Sequence, residues 1–432
     1  MLDPYLSRRR RSPSILARFG CLLLGFGLLG ITAAGLYRVP AVNDALFWRV
    51  EVLKSQIRER INPHPANLPT PIGVPAGDAS VVEVLAPTVT TAPSVTLAPL
   101  PTSSGPSPAA TLRPTAEPLP VSASLYFNTH EYQRWNNCGP ATLSMGLRYW
   151  GWQGTQQDAA PWLKPDRNDK NVGPAELQAY VNSRVDSLQL LYRVGGDLNV
   201  LRRLIVGGYP VIVEKGFQPD EEKGWMGHYL LLTGYDDVNP AFSTQDSFRG
   251  SNIPVSYTEL DAEWQAFNRI FIVVYREGDR EKVLRLLGDL ADQSRSNHLA
   301  LQTAQRESAR DPGDAFAWHN LGVSLSHFGE YSSAAEAFDQ ARAIGLPWRM
   351  LWYQTEMYTA YFSVGRYAEV MNLAGATLET ASNLEESYYW RARARHALGD
   401  VEGALSDMTQ ALQYNPNFEA AGQALQQMQS EG

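Results

Sequence analysis

The stretch Gln133-Arg-Trp-Asn-Asn-Cys138-Gly-Pro-Ala141 decides how this chain folds, because it sets a lone thiol where a helix begins. The sequence has only one other cysteine, Cys21, which lies inside an apolar N-terminal stretch. Apolar residues at helical spacing follow the Gly-Pro pair, so Cys138 is predicted at a helix N-terminus. The helix dipole and the free N–H groups there favour a thiolate. Cys138 is therefore a candidate nucleophile, and a nucleophilic thiol needs a base.

His228 is the histidine that the sequence favours as this base. It stands before an apolar run, 229–233, which glycines bound and which predicts a buried strand. A base on a rigid strand is well placed to face a thiol on a helix. His130 lies close before Cys138 and stays open as an alternative. The remaining histidines lie in a proline-rich segment or among C-terminal helices: His64, His298, His319, His327 and His396.

A carboxylate, Asp246, ends the next short predicted strand. A third group of this kind orients the imidazole in a nucleophile–base pair and fixes its tautomer. Asp236 and Asp237 are nearby alternatives, and a turn-capping role for Asp246 also stays open. The segment 215–227 predicts a loop over the cleft, in which Trp225 either shields the imidazole or packs against the core.

The order of these motifs resembles the papain-like fold, and in particular the bacteriocin-processing (double-glycine leader) cysteine peptidases and their stand-alone relatives. The resemblance covers 122–276 and rests on Gln-x4-Cys-Gly-Pro-Ala, on Gly-His-Tyr before an apolar strand, and on an Asp that closes the next strand. It implies that Cys138 is the nucleophile, His228 the base and Asp246 the group that orients it. It also implies that the amide of Gln133 helps to stabilise the oxyanion.

The resemblance implies an α+β papain-like domain over 122–276, with a helical half against an antiparallel sheet and a catalytic cleft between them. The segment shows helical patterns first and strand patterns later, which agrees with this class. The chain departs from the leader peptidases in two ways: its Gln lies five residues before the Cys instead of six, and no ATP-binding or transporter domain follows. Leader-peptide export is therefore not implied.

The segment 279–430 predicts an all-α tetratricopeptide repeat array. Its apolar residues recur at the register of that repeat, and glycines mark the turns between helices. Such arrays bind protein partners, so a partner is expected here. The arginines at 391, 393 and 395 either line a groove for a carboxylate or form a solvated helix face. The register residues are Trp318, Leu321, Gly322, Leu325, Ala334, Phe338 and Ala341, repeated at Ala404, Met408, Ala411 and Pro416.

The N-terminus predicts a membrane anchor. A basic segment, 1–18, precedes an uncharged and mostly apolar run, 19–37, which is long enough to cross a bilayer as one helix. The arginines before it predict a cytoplasmic N-terminus and an extracytoplasmic bulk of the chain. A cleaved signal peptide stays open, because small residues occur at 32–35. A juxtamembrane helix is expected over 38–61.

The segment 62–120 is dense in Pro, Thr, Ala and Ser and has no aromatic residue. Such a composition predicts a disordered spacer onto which nothing packs. The repeats, in contrast, follow the domain 122–276 with no spacer. Because the apolar residues of 283–290 would otherwise be exposed, the repeats are predicted to dock on that domain.

Composition and spacing exclude several function classes. A net charge of −8 argues against a nucleic-acid role. Metal-ligand spacing and phosphate-binding glycine loops are not found, so no metal and no cofactor are expected. Two hypotheses remain. One is a membrane-anchored extracytoplasmic cysteine peptidase that acts on a peptide or protein substrate through a thioester. The other is a catalytically inactive papain-like peptide-binding module with a repeat scaffold.

Overall fold

The computed structural model describes residues 64–72, 118–219 and 224–431, together with the isolated positions 35, 49, 50, 53, 54, 57, 60 and 61. The chain divides into two compact units, Met1–Pro63 and His64–Gly432. The predicted anchor, 19–37, and most of the predicted helix 38–61 lie outside the described residues. Within the described ranges, no helix combines the length and the apolar character that a bilayer span requires.

A seven-stranded antiparallel sheet forms the middle of the second unit. The spatial order is β2-β7-β3-β4-β5-β6, and β1 pairs with the far end of β4. We call residues 118–276 the sheet domain. Its strands are β1 (Ser122–Ser124), β2 (Leu188–Arg193), β3 (Val211–Phe217), β4 (Met226–Asp236), β5 (Ala241–Asp246), β6 (Gly250–Ser256) and β7 (Phe271–Arg276).

Helices cover both faces of this sheet. Leu231 of β4 packs under one group of helices, whereas its neighbours Leu230 and Leu232 pack on the opposite face. Successive side chains of a strand point to opposite faces, so a strand covered on both sides reads as an unbroken apolar run. The helices of the sheet domain are α1 (Cys138–Tyr149), α2 (Gln156–Leu163), α3 (Pro174–Arg184), α4 (Leu198–Val206) and α5 (Tyr257–Gln265).

Several elements escaped the sequence prediction. The helix α2 is short and contains Pro161, although a capping box of Thr155 and Asp158 marks its start. The strand β6 is polar and holds a proline, so its pattern does not indicate a strand. The strand β1 has only three residues, Ser122–Ser124, too few for a strand pattern to be recognised in the sequence. These segments are ordered by tertiary contacts more than by local propensity.

The C-terminal part of the chain is all-helical, and we call residues 280–431 the helical domain. Three antiparallel helix pairs, α8/α9, α10/α11 and α12/α13, follow two leading helices. Gly329, Gly365 and Gly399 turn each pair with positive φ values of 78°, 75° and 88°, which glycine adopts without strain. The helices are α6 (Arg280–Leu287), α7 (Gln293–Arg310), α8 (Ala315–His327), α9 (Tyr331–Ile344), α10 (Glu356–Ser363), α11 (Tyr367–Thr380), α12 (Glu385–Ala397), α13 (Val401–Tyr414) and α14 (Glu419–Glu431).

The helical domain docks on the sheet domain, as the short connection predicts. Val283 and Leu287 of α6 are fully buried in the core of the sheet domain. The side chain of Arg269 pairs with Glu307 of α7 at 2.8 Å. Asn320 of α8 donates its amide to the carbonyl of Gln265 at 2.7 Å. Apolar burial and directional polar contacts thus fix one arrangement.

The prediction that nothing packs on 62–120 is wrong for residues 64–72. Leu68 is only 5% exposed and lies in the core of the helical domain with Phe338 and Leu373. Its backbone N–H donates to the carbonyl of Leu346 at 2.8 Å. A composition without aromatics shows that a segment cannot build its own core, but such a segment can still join the core of another. Residues 73–117 lie outside the described residues.

The arginines of α12 do not form a carboxylate groove or a freely solvated face. Arg391 and Arg395 both pair with the carboxylate of Asp407, at 2.7 Å and 3.0 Å. Arg393 lies over the ring of Phe362, with its guanidinium carbon 4.3 Å from the ring centroid. The charges of these side chains are therefore satisfied inside the array.

Candidate active site

The thiol of Cys138 stands at the first residue of α1, and the helix is held rigidly against the sheet. Thr142, one turn further, donates its hydroxyl to the carbonyl of Tyr229 in β4 at 3.3 Å. Residues 139–147 of α1 are all buried, whereas the Cys138 side chain is half-buried. The thiol is thus fixed in position on a residue that remains partly exposed.

The strands β4 and β5 bring a histidine and a carboxylate together. His228 lies near the start of β4, and its Nε2 is 2.8 Å from Oδ1 of Asp246, the last residue of β5. The same carboxylate oxygen accepts the backbone N–H groups of Phe248 at 2.8 Å and Arg249 at 3.1 Å. Both His228 and Asp246 are only 2% exposed. Three donors therefore converge on one buried oxygen and hold the carboxylate in place.

The imidazole of His228 lies beside the thiol of Cys138, and each group favours the charged form of the other. Burial opposes ionisation of the thiol, but the hydrogen bond and charge of His228 hold the pKa of Cys138 below its usual range. Burial also opposes the imidazolium, but hydrogen bonds to Asp246 and Cys138 raise the pKa of His228 to about 9. Each charge therefore stabilises the other, which favours a thiolate beside an imidazolium over the pair of neutral groups.

The carboxylate of Asp246 is the fixed charge of this group. Burial disfavours its ionised form, but the hydrogen bond and charge of His228 and the two backbone N–H groups lower its pKa to about 2. Asp246 is therefore ionised at any neutral pH. It fixes which ring nitrogen of His228 faces the thiol, since Nε2 is the nitrogen bound to the carboxylate.

The alternatives that the sequence left open make different contacts. His130 packs edge-on against Tyr132, with ring centroids 4.7 Å apart, and burial lowers the pKa of its imidazole. Asp236 caps its own turn, because it accepts the N–H of Val238 at 2.8 Å. Asp237 forms an ion pair with an arginine of α4. The thiol, the imidazole and the carboxylate that meet are those of Cys138, His228 and Asp246.

Trp225 does not shield the imidazole. Its ring lies 6.0 Å from Phe267, nearly parallel at 8°, and 5.9 Å from Phe316 of α8, so it packs in the junction between the domains. The ring that covers His228 is Phe217 at the end of β3, whose centroid lies 4.8 Å away at 27°. Stacked rings of this kind limit the access of water to the imidazole.

Gln133 is bound to the residue that follows Asp246. Its backbone N–H donates to the carbonyl of Ser247 at 2.8 Å, and its side-chain oxygen accepts the Ser247 hydroxyl at 2.9 Å. Because the oxygen of this amide is occupied, its N–H groups remain as donors. The oxyanion role of Gln133 stays a prediction.

Gln156 is a buried residue that sequence reasoning missed, and it organises the loop before the thiol. Its side-chain oxygen accepts the backbone N–H of Arg134 at 2.8 Å and the side-chain amide of Asn137 at 2.9 Å. Its amide nitrogen donates to Glu131 at 2.9 Å and to the carbonyl of Tyr132 at 2.8 Å. All four hydrogen-bonding positions of this side chain are thus used to hold the loop. The only sequence signal was its place after the capping residue of α2.

Lys164 is a second buried group that the sequence did not reveal. Its ammonium donates to the carbonyl of Asn136 at 2.7 Å, and Asn136 has a left-handed φ of 51° that asparagine tolerates. Burial lowers the pKa of Lys164 to about 8. Its positive charge adds to that of His228 in lowering the pKa of Cys138.

Tyr353, from the helical domain, also reaches this site. A Cβ atom on Gly227 would lie 2.9 Å from its ring, so the glycine beside His228 is what admits the tyrosine. Burial and the nearby charge of Cys138 raise the pKa of Tyr353, which is therefore neutral. No sequence pattern connects a residue of the repeats with a strand 126 positions earlier, because only docking brings them together.

The comparison with family models agrees with this geometry. Residues 124–272 match the family described as the Peptidase_C39 like family. This segment is a peptidase C39-like domain. The resemblance derived from the Cys, His and Asp motifs is therefore confirmed. Within the C39-like domain, Cys138 begins the first helix, and His228 and Asp246 lie on neighbouring strands.

The helical domain has relatives of its own. Residues 385–418, which include α12 and α13, match the tetratricopeptide repeat, as the register predicts. MamA from Desulfovibrio magneticus RS-1 is 18% identical over 36% of this chain and 86% of that chain, with a TM-score of 0.30. YrrB, a repeat protein with an unusual peptide-binding site, is 15% identical over 35% and 75%, with a TM-score of 0.28. No curated protein matches this chain.

Proposed function

We propose that this protein is a cysteine peptidase, in which the C39-like domain cleaves peptide bonds and the repeats hold the substrate or a protein partner. The observation that carries this proposal is the chain of contacts from Cys138 through His228 to Asp246. A thiol with a lowered pKa, a buried base beside it and a fixed carboxylate behind that base are the parts that nucleophilic catalysis needs.

The proposed reaction has two steps. The Cys138 thiolate attacks the carbonyl carbon of the scissile bond, and the oxyanion that forms accepts the backbone N–H of Cys138 and the amide of Gln133. The imidazolium of His228 then gives its proton to the departing amine, which leaves a thioester on Cys138. In the second step His228 takes a proton from water as the water oxygen attacks the thioester carbonyl. The carbon–sulfur bond then breaks, the carboxylic acid product leaves, and Cys138 is again a thiolate beside the protonated imidazole.

The helical domain also contributes residues to the proposed cleft. Tyr353 stands against Gly227, one residue before the proposed base, and carries a hydroxyl that remains neutral. Arg349 donates to the carbonyl of Trp225 at 3.0 Å and fastens the same part of the helical domain to β4. A substrate bound at Cys138 would therefore contact both domains.

The pH dependence of Cys138 alkylation tests the catalytic pair. Because the pKa of the thiol is lowered, we expect the iodoacetamide rate constant of the full-length protein to rise less steeply between pH 6 and 8 than that of an ordinary thiol. Replacement of His228 by alanine removes the main partner of the thiolate. An ordinary thiol has a pKa of about 8.5, so that variant should react more slowly at pH 6, and its rate constant should rise about tenfold with each pH unit.

The control is the urea-unfolded protein, in which Cys138 has lost its partners, with the alkylation of Cys138 read from a digest by mass spectrometry. Peptide hydrolysis is measured in parallel. If the profile of Cys138 is that of an ordinary thiol in the unsubstituted protein, the proposed peptidase is wrong. If the thiol is activated but no peptide of a diverse library is cut, the inactive peptide-binding module is the better description.

We further propose that the protein is a single-pass membrane protein with the C39-like domain outside the cytoplasm. The support is the apolar run 19–37 behind the basic segment 1–18. Protease added to intact cells should degrade the folded domains, and carbonate washing should leave the protein in the membrane fraction. Mass spectrometry of the N-terminus separates an uncleaved anchor from a cleaved signal peptide. A protein that resists protease until the cells are lysed would contradict the proposed orientation.

A further inference from the structure

Residues 64–72 lie in an extended conformation on the helical domain, where they are held by their backbone. Asn67 and Pro347 form an antiparallel bridge. The carbonyl of Ala66 accepts the N–H of Trp348 at 3.3 Å, and the N–H of Leu68 donates to the carbonyl of Leu346 at 2.8 Å. Backbone pairing of this kind is how proteins bind an added strand from a separate peptide.

Arg342, near the end of α9, donates hydrogen bonds to two further carbonyls of the segment. Its Nε donates to Pro69 at 2.9 Å and its Nη2 to Thr70 at 3.0 Å. This arginine is only 1% exposed, and its Nη1 is held by the carboxylate of Glu369 at 2.9 Å. The other oxygen of Glu369 accepts the N–H of Ile72 at 2.6 Å. A buried ion pair thus presents a donor and an acceptor to the main chain of the segment.

The surface also has space that the segment fills. Gly345 has a φ of 124°, and a Cβ atom there would lie 2.8 Å from the side-chain nitrogen of Asn67. The side chain of Leu68 enters the core, and the ring of His64 lies 4.4 Å from that of Trp348. Glycine at 345 therefore leaves the gap that the segment occupies, and Leu68 anchors it.

We propose that this surface, formed by Arg342, residues 345–348 and Glu369, is a binding site for an extended peptide in which a leucine precedes a proline, and that residues 64–72 are its ligand in cis. We call it the latch site. The prolines of the segment restrict the free peptide to extended conformations and so reduce the entropy lost on binding. The inference does not depend on peptidase activity, since it uses no residue of the C39-like domain.

A partner peptide would have to compete with residues 64–72 for the latch site. A ligand attached to the same chain acts at an effective concentration in the millimolar range for a short connection. A partner with a similar segment must therefore displace residues 64–72 before it binds. A protein whose own segment is weakened should bind such a peptide readily, and the unaltered protein should not.

The test uses a fluorescent peptide with the sequence of residues 64–72 and the full-length protein. The Leu68→Asp variant should free the latch site, so its Kd for the peptide should be at least about tenfold lower than that of the unaltered protein. A peptide with aspartate in place of its leucine is the matched control and should not bind. If the variant is folded by circular dichroism and does not bind the peptide, or if the variant unfolds, the proposal is wrong.

Hydrogen exchange of the unaltered protein gives an independent measurement. A ligand in cis opens without unfolding its receptor, so the amides of Leu68 and Ile72 should exchange at least about tenfold faster than those of Phe338 and Leu373 in the core of the helices. Equal protection at all four amides would show that residues 64–72 open only with global unfolding. The segment would then be a fixed part of the core, and the latch site would not exist.

Discussion

Replacement of Asp246 by asparagine is expected to lower kcat/KM for peptide hydrolysis about 10⁴-fold while the fold is kept. The carboxylate raises the pKa of His228 to about 9 and fixes the ring nitrogen that faces the thiol. An amide has no charge to offer, so the pKa of the imidazole falls and the thiolate loses its charged partner. Steady-state kinetics against the best substrate of a peptide library measures the loss.

The same substitution has a second readout and a matched control. In Asp246→Asn the alkylation rate of Cys138 at pH 6 should fall toward that of the His228→Ala variant. Asp236→Asn is the control, because Asp236 lies only ten residues earlier in the chain and caps an exposed turn. Its kcat/KM should be unchanged. Equal losses in the two variants would mean that Asp246 serves only to hold a turn, and that another group orients His228.

Replacement of Arg342 by alanine should lower the free energy of unfolding by about 3–5 kcal/mol, because it leaves a buried carboxylate without its main partner. Arg342 and Glu369 are almost fully buried, and Nη1 and Oε2 lie 2.9 Å apart. The substitution also removes the donors to the carbonyls of Pro69 and Thr70. Urea unfolding, followed by the circular dichroism of the helices, measures the change.

Two comparisons separate this effect from the general cost of losing an arginine. Arg280 pairs with Glu281 on the surface, where the side chains are 64% and 77% exposed, so Arg280→Ala should change the stability by less than about 1 kcal/mol. The double variant Arg342→Met with Glu369→Leu removes both charges and should recover part of the loss. A loss below 1 kcal/mol in Arg342→Ala would show that water enters this pair.

The site could be predicted from the sequence where the chemistry is carried by motifs. The sequence offers a single thiol outside the N-terminal stretch and one histidine directly before an apolar run, so few nucleophile–base pairs were possible. Asp246 follows on the neighbouring strand. Cys138, His228 and Asp246 meet because antiparallel neighbours bring the ends of successive strands together. The repeats could also be predicted, since the helix pairs repeat the same apolar register.

The remainder of the site could not be predicted, because it depends on contacts between segments that are distant in sequence. Gln156 and Lys164 look like ordinary surface residues until α2 packs beside the loop that precedes Cys138. Tyr353 becomes part of the site only when the domains dock. The burial of Leu68 was missed for a related reason. Composition indicates whether a segment can fold alone, but it does not show which surfaces of other segments it can pack against.

The contact of residues 64–72 also determines where a mechanical load would act. The chain leaves the helical domain at Ile72 and rejoins the same unit at Pro120, whose carbonyl accepts the hydroxyl of Tyr235 at 2.6 Å. The two ends of the segment 73–117 are thus held by the same unit, and lengthening that segment would not move the folded domains farther from the N-terminus. A force applied from the N-terminal side would therefore act on the helical domain through His64 and would not act across the proposed cleft.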